Sequence, residues 1–331
     1  MVWPPQPSAL GTTLDVVGVG EPMLLLQADP PTTLTTATSV SVDVAGAEYN
    51  VCAAVARLGG RTALLTRLGD DVAGRRVLAE LSRLGISADL VDIDPERPTG
   101  LFLRETPPDG SRQVAYYRRG SAAAAMIPTD AARLWSDRVP RAVVLSGITA
   151  ALGPGPRSLL EAVAARAQEH GIAVVVDANL RPGLGQVEAA VATLRRILPR
   201  TDLLVLGDDE SGPLLGATTP DDVLAAAARA GVGETVLKGG ERGSWYLGED
   251  GVPHHCPTRA TDVVDTVGAG DAFLGGYLGA RLAGAPAGGA AWLGSELAAA
   301  VIAVPGDTGG LPSGPAAASL LTKVRRSATP S

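Results

Sequence analysis

Residues 14–20 read LDVVGVG, a continuous apolar run closing on glycines, the pattern of a β-strand buried on both faces. The pattern recurs at 61–66 (RTALLT), 142–146 (AVVLS), 172–177 (IAVVVD), 203–206 (LLVL) and 234–238 (ETVLK). Segments with helical spacing lie between these runs, at 49–58, 73–84, 157–170, 188–198 and 220–230. Strand and helix alternate, which predicts an α/β fold around a mostly parallel central sheet flanked by helices. In such sheets ligands bind beyond the carboxyl ends of the strands. Two segments break the alternation. Residues 32–44 (TTLTTATSVSVDV) are rich in Thr and Val with no helical period, and 100–117 (GLFLRETPPDGSRQVAYY) read as two strands around a Pro-Pro-Asp-Gly turn. They predict a small β-sheet lid, inserted at 29–45 and 96–119 into one domain spanning 14–322. Residues 1–13 and 323–331 are then tails, and the Ala- and Gly-rich stretch 268–303 is helical.

Composition narrows the function classes. With 28 Lys and Arg against 35 Asp and Glu, the chain of 331 residues carries a net charge of −7, so nucleic acid is not an expected partner. No apolar run reaches membrane-spanning length, and residues 1–13 (MVWPPQPSALGTT) lack the basic and apolar parts of a secretion signal. A soluble, cytoplasmic protein with no membrane partner is expected. Cys52 and Cys256 have no CxxC spacing and suit reduced, buried thiols. His170, His254 and His255 lack Cys or carboxylate partners at zinc-ligand spacing. Aromatic residues make up 3%, so the core must be aliphatic.

The chemistry concentrates in residues 263–277, VVDTVGAGDAFLGGY. They read as a short β-branched strand ending in Asp265 and Thr266, a tight turn through Gly268 and Gly270, and a helix opened by Asp271. Backbone N–H groups of Ala269, Gly270 and Asp271 would then face outward at a helix N-terminus, where they bind an anion or stabilise charge on a transferring phosphoryl group. A carboxylate beside them can orient an alcohol and accept its proton. Taken alone, the same string also suits an ordinary helix cap.

The run Asp265-Thr266-Val267-Gly268-Ala269-Gly270-Asp271-Ala272-Phe273 resembles the C-terminal signature of the ribokinase-like, PfkB-type carbohydrate kinases. Ala45-Gly46-Ala47-Glu48-Tyr49-Asn50, with Leu68-Gly69-Asp70-Asp71 further on, resembles their N-terminal sugar-binding signature. The resemblance extends over 14–322 and implies a ribokinase-like fold, ATP as phosphoryl donor, Mg2+, and a homo-oligomer formed through the lids; it leaves a monovalent cation such as K+ open. Within the family, Gly20-Glu21-Pro22-Met23, Tyr116-Tyr117-Arg118, Ser146-Gly147-Ile148-Thr149 and Asp177-Ala178-Asn179-Leu180-Arg181-Pro182 are most similar to 2-keto-3-deoxygluconate kinases.

The resemblance also implies roles. Asp271 would be the base and the amides of Gly268, Ala269 and Gly270 the anion hole. Gly46, Asn50, Tyr116 and Tyr117 would contact the sugar, although tyrosines adjacent on a strand face opposite ways, so at most one meets it directly. A keto-deoxy sugar acid carries a carboxylate, for which Arg118 and Arg181 would supply charge-assisted hydrogen bonds; both could equally pair with protein carboxylates. Asn179, Lys238, Gly240 and Gly243 fall on the nucleotide side, and Asp307, grouped with them, matches a late family position near the nucleotide or substrate end of the cleft and could equally be a turn residue. For the metal, the family's Asn-x-x-Glu, which helps organise Mg2+ through water, is here Gly207-Asp208-Asp209-Glu210: Glu210 matches, and Gly207 replaces the Asn, with Asp208 or Asp209 available to compensate. A fructokinase- or ribokinase-like specificity, or a catalytically weak sugar-binding regulator, are the alternative readings. Gly18-x-Gly20 lacks the third glycine and the following helix of a dinucleotide fold, which removes a dehydrogenase.

Overall fold

The computed structural model describes residues 14–29, 32–107, 111, 113–135 and 139–326. The tail at 1–13 and most of the Pro-Pro-Asp-Gly turn lie outside the described residues. The apolar runs form the interior of one nine-stranded sheet. In chain order its strands are β1 (Leu14–Val19), β4 (Thr62–Gly69), β5 (Val91–Asp94), β8 (Pro140–Ser146), β9 (Ala173–Asp177), β10 (Leu203–Gly207), β11 (Glu234–Lys238), β12 (Ser244–Leu247) and β13 (Pro253–Cys256). The spatial order is β13-β12-β11-β10-β9-β8-β1-β4-β5, parallel except for the antiparallel β12 and β13. Alternate residues of the central strands face opposite layers. Val144, Val175 and Val205 pack towards helices Ala47–Arg57, Ala269–Leu282 and Ala287–Ile302, whereas Val143, Val174 and Leu204 pack towards Pro154–Glu169, Val187–Ile197 and Pro220–Arg229. Residues buried on both faces explain why these strands read as unbroken apolar runs.

The four remaining strands, β2 (Met23–Gln27), β3 (Ser41–Ala45), β6 (Leu101–Glu105) and β7 (Gln113–Tyr117), make a separate sheet of order β3-β2-β6-β7. This is the expected lid, with two corrections. Its central strand β2 was not foreseen, and within 32–44 only the end, from Ser41, is strand. β3 and β6 do not pair with each other; the apolar Met23–Gln27 lies between them and pairs with both. Pairing fixes two faces. Met23, Leu25, Phe102, Arg104, Val114 and Tyr116 share the inner one, and Leu24, Leu26, Val42, Leu101, Leu103 and Tyr117 the outer one.

Further differences have local causes. The last two strands at one end of the sheet, β12 and β13, escape an apolar-run reading because they are short and mixed in polarity, Ser-Trp-Tyr-Leu and Pro-His-His-Cys. Residues 261–268 form bends and turns rather than the expected strand: the Val264 and Asp265 amides donate to the Ile302 carbonyl at a helix end. The last helix, Gly314–Arg326, runs past the expected boundary at Thr322 because Val324 packs into the core. Cys52 and Cys256 are buried free thiols.

Candidate active site

Three adjacent parallel strands deliver their last residues to one place: Asp177 from β9, Gly207 from β10 and Lys238 from β11. Helix Ala269–Leu282 points its N-terminus at the same spot. Two cavities of about 570 Å³ each meet there, sharing Gly207, Asp209, Lys238, Thr266 and Gly270. One lies under the lid, lined by Gly46, Asn50, Phe102, Arg104, Tyr116, Asn179, Arg181, Asp271 and Asp307 among others. The second is walled by Gly240, Gly243, Val263, Phe273, Ala298 and Ile302, a mostly apolar slot suited to a flat heterocycle.

Gly268 caps the helix at φ 74°, the left-handed region, and no side chain closes the first turn. A Cβ there would lie 2.5 Å from the Asp307 carbonyl oxygen, so only glycine fits. The first-turn amides are thereby offered to an anion. Asp271 is the third residue of the helix rather than its cap, so the bland alternative for it falls away. Its carboxylate is held by two amides: Asn50 Nδ2 donates to Oδ2 at 2.7 Å and Asn179 Nδ2 to Oδ1 at 3.4 Å. Asn179 itself has φ 35°, a strained value that asparagine tolerates better than most residues.

Burial and the charge of Asp177 push the Asp271 carboxyl up to about 7, against the opposing pull of Asn50, Lys238 and Arg181. That value suits a base working near neutrality. Lys238 Nζ stands 3.2 Å from Asp177 Oδ1. Burial works against its ammonium, but Asp177, Glu210 and Asp271 together hold its pKa above the ordinary lysine value.

The other expected residues divide. Gly46, Asn50, Tyr116 and Arg181 line the cavity with Asp271, and Gly240 and Gly243 line the second cavity, with Lys238 common to both. Tyr117 is 61% exposed on the outer lid face, as strand alternation requires. Arg118 is not brought to Asp271. Its Nε donates to the buried Glu21 at 2.6 Å, and it lines a neighbouring cavity of about 480 Å³ with Arg119 and Arg157. Asn179, expected on the nucleotide side, stands beside Asp271 instead, to which it donates, and of the two ends open to Asp307 the structure places it at the Asn50 side under the lid.

Each oxygen of Glu210 accepts one backbone hydrogen bond, from the Leu180 amide at 2.7 Å and the Gly207 amide at 2.6 Å. Each oxygen keeps a further lone pair, so this geometry suits the water-mediated metal role expected of Glu210. Asp208 pairs with Arg242, which leaves Asp209 as the carboxylate lining both cavities. No group of three His, Cys, Asp or Glu side chains arranged for a metal exists among the described residues.

Asp177, Arg104 and Phe102 were missed as candidates. Asp177 carried a signal, being the charged terminus of an otherwise apolar strand, and Arg104 another, a cation two residues from Phe102 and so on the same lid face.

Comparison with known proteins agrees with this geometry. The model of the pfkB family carbohydrate kinases matches residues 13–314. A 2-dehydro-3-deoxygluconokinase of Bacillus subtilis is 31% identical over 316 residues, 94% of this chain and 97% of the relative. The crystal structure of a PfkB protein from Polaromonas sp. JS666 superposes with a TM-score of 0.81 at 31% identity, covering 91% of this chain and 98% of that one. A putative ribokinase II from E. coli in complex with ATP and Mg2+ shares the fold, with a TM-score of 0.83 at 19% identity over 95% of this chain and 99% of its own. The chain belongs to the pfkB family of carbohydrate kinases.

Proposed function

We propose that this kinase transfers the γ-phosphoryl group of ATP to the terminal hydroxyl of 2-keto-3-deoxygluconate or a close sugar acid. One observation carries the reading: Asp271 and the open amides of its helix stand where a cavity containing Arg181 meets an apolar, glycine-edged slot. ATP would lie in the slot with its phosphates at the amides and Lys238, and the sugar under the lid. Asp271 takes the hydroxyl proton as the oxygen bonds to the γ-phosphorus; the bond to the β–γ bridging oxygen breaks and ADP leaves. The amides and Lys238 stabilise the charge that gathers on the phosphoryl oxygens.

Asp209, and Glu210 through water, suit a hydrated Mg2+, which keeps most of its own waters; when bound, such an ion neutralises phosphate charge. The relatives named 2-dehydro-3-deoxygluconokinase support the acid substrate. An ADP-release assay over 2-keto-3-deoxygluconate, fructose and ribose tests it. The acid should have the highest kcat/KM, and a preference for either neutral sugar would overturn the assignment.

The outer lid face places Leu24, Leu26, Leu101 and Leu103 beside Val42 and Tyr117, the last two 45% and 61% exposed. An apolar sheet face of this kind supports pairing of two copies lid to lid. Sedimentation at micromolar concentration should give a dimer, and a monomer would refute it.

A further inference from the structure

Arg104 is a cation of lid strand β6 that is only 2% exposed, and its partners belong to other elements. Its Nε donates to Gln27 Oε1 on β2 at 2.8 Å, and its Nη1 donates to Asp307 Oδ1 at 2.9 Å, in the loop after helix Ala287–Ile302. Asp307 Oδ2 in turn accepts from Asn50 Nδ2 at 3.3 Å. The same Asn50 nitrogen donates to Asp271 Oδ2 at 2.7 Å. Three consecutive hydrogen bonds thus join the lid to the base.

We propose that Arg104 is a positioning residue for phosphoryl transfer: by pairing with Asp307 from the lid, it orients the Asn50 amide toward Asp271 and cancels the Asp307 charge beside that base. The geometry of the amide supplies the first half. Carboxylates on two sides of Asn50 both demand its nitrogen, which turns Oδ1 away, and Oδ1 is buried without a protein partner. It is the natural acceptor for a substrate hydroxyl.

Electrostatics supplies the second half. Asp307 is 7% exposed, and burial raises its pKa while the Arg104 charge and hydrogen bond pull it back. Asp265 also faces Asp307, and Asp177, Lys238 and Arg181 face Asp271. Of these charges, Arg104 is the one carried by the lid strands. Lid seating and ionisation of the base are therefore linked, since an unseated Arg104 leaves two buried carboxylates flanking Asn50.

The test compares wild type with Arg104→Met, Arg104→Lys, Asp307→Asn and the Arg104→Met/Asp307→Asn double variant. One arm follows kcat on 2-keto-3-deoxygluconate and ATP from pH 5.5 to 9. Arg104→Met should move the acid limb upward by about one pH unit, lowering kcat at pH 6 about tenfold more than at pH 9. The double variant should bring the limb back, and Arg104→Lys should hold it. The second arm needs no substrate: the melting temperature of Arg104→Met should fall further below wild type at pH 8 than at pH 5.5. In the double variant that difference should vanish. A brace without electrostatic coupling would lower rate or stability equally at every pH, with no rescue in the double variant; either result overturns the proposal. Absence of turnover on the sugar acid by wild type would refute the substrate reading, while the melting arm still decides this one.

Discussion

Replacing Asp271 by Asn should stop the reaction and stabilise the protein at once. The carboxyl ionises near pH 7 in the folded chain against 3.8 for the ordinary group, with burial as the first cause. A folded-state value raised this way favours the fold below pH 3.8, and the advantage is lost as pH rises through 7. Three units at about 1.4 kcal/mol each set an upper limit of about 4 kcal/mol for the penalty at pH 8. The carboxylate is only part-buried and lines an open cavity, so solvent screening reduces this, and about 2 kcal/mol is the working figure. Asn keeps the shape and removes the charge; its melting temperature should exceed that of wild type by several degrees at pH 8 and by little at pH 5. Turnover should fall roughly 10² to 10⁴-fold, the usual worth of a positioned proton acceptor, with ATP binding within about tenfold of wild type. Calorimetry at the two pH values and an ADP-release assay measure both. Activity within about threefold of wild type, or a stability change of equal size at pH 5 and pH 8, would refute the assignment of Asp271 as a buried base.

Two arginines expected to act alike should separate. Arg118→Ala strands the buried Glu21 and should cost about 3 to 5 kcal/mol of stability, read in denaturant melts, with both acid and neutral sugars affected. Arg181→Ala should leave stability near wild type and lower kcat/KM for the acid about 30-fold or more relative to fructose; equal losses on the two sugars would count against it. At Gly207 a Cβ would lie 2.5 Å from Asp209 Oδ1, so the Asp209 carboxylate already fills the space a side chain at 207 would enter. Gly207→Asn and Asp209→Ala should each raise the Mg2+ concentration for half-maximal rate, by about tenfold or more, and the two together should add little; a flat Mg2+ titration for Asp209→Ala would remove that residue from the metal site.

Much of this protein is legible in one dimension because its signals are local. Apolar runs such as Ile172–Asp177 need no partner to declare a strand buried on both faces, and the sequence Gly268-Ala269-Gly270-Asp271 specifies a glycine turn and an acid in a first helical turn from adjacent residues alone. The placement of Tyr116 inward and Tyr117 outward follows from the two-residue period of a strand. What the tertiary structure decided are pairings between residues far apart in the chain. Arg118 meets Glu21 across 97 positions and Arg104 meets Asp307 across 203, and no local pattern says which carboxylate a given arginine will find. An arginine read as a substrate contact also pairs with a buried carboxylate, and one that drew no functional reading is joined to the Asp271 side of the site through Asp307 and Asn50. Glu210 was recognisable as a family acid from its spacing, but what orients it was not: the Leu180 and Gly207 amides that hold its two oxygens come together only when β9 and β10 lie side by side. Spacing along the chain names the groups that can do chemistry; packing sets which of them still have a free lone pair, proton or charge to do it with.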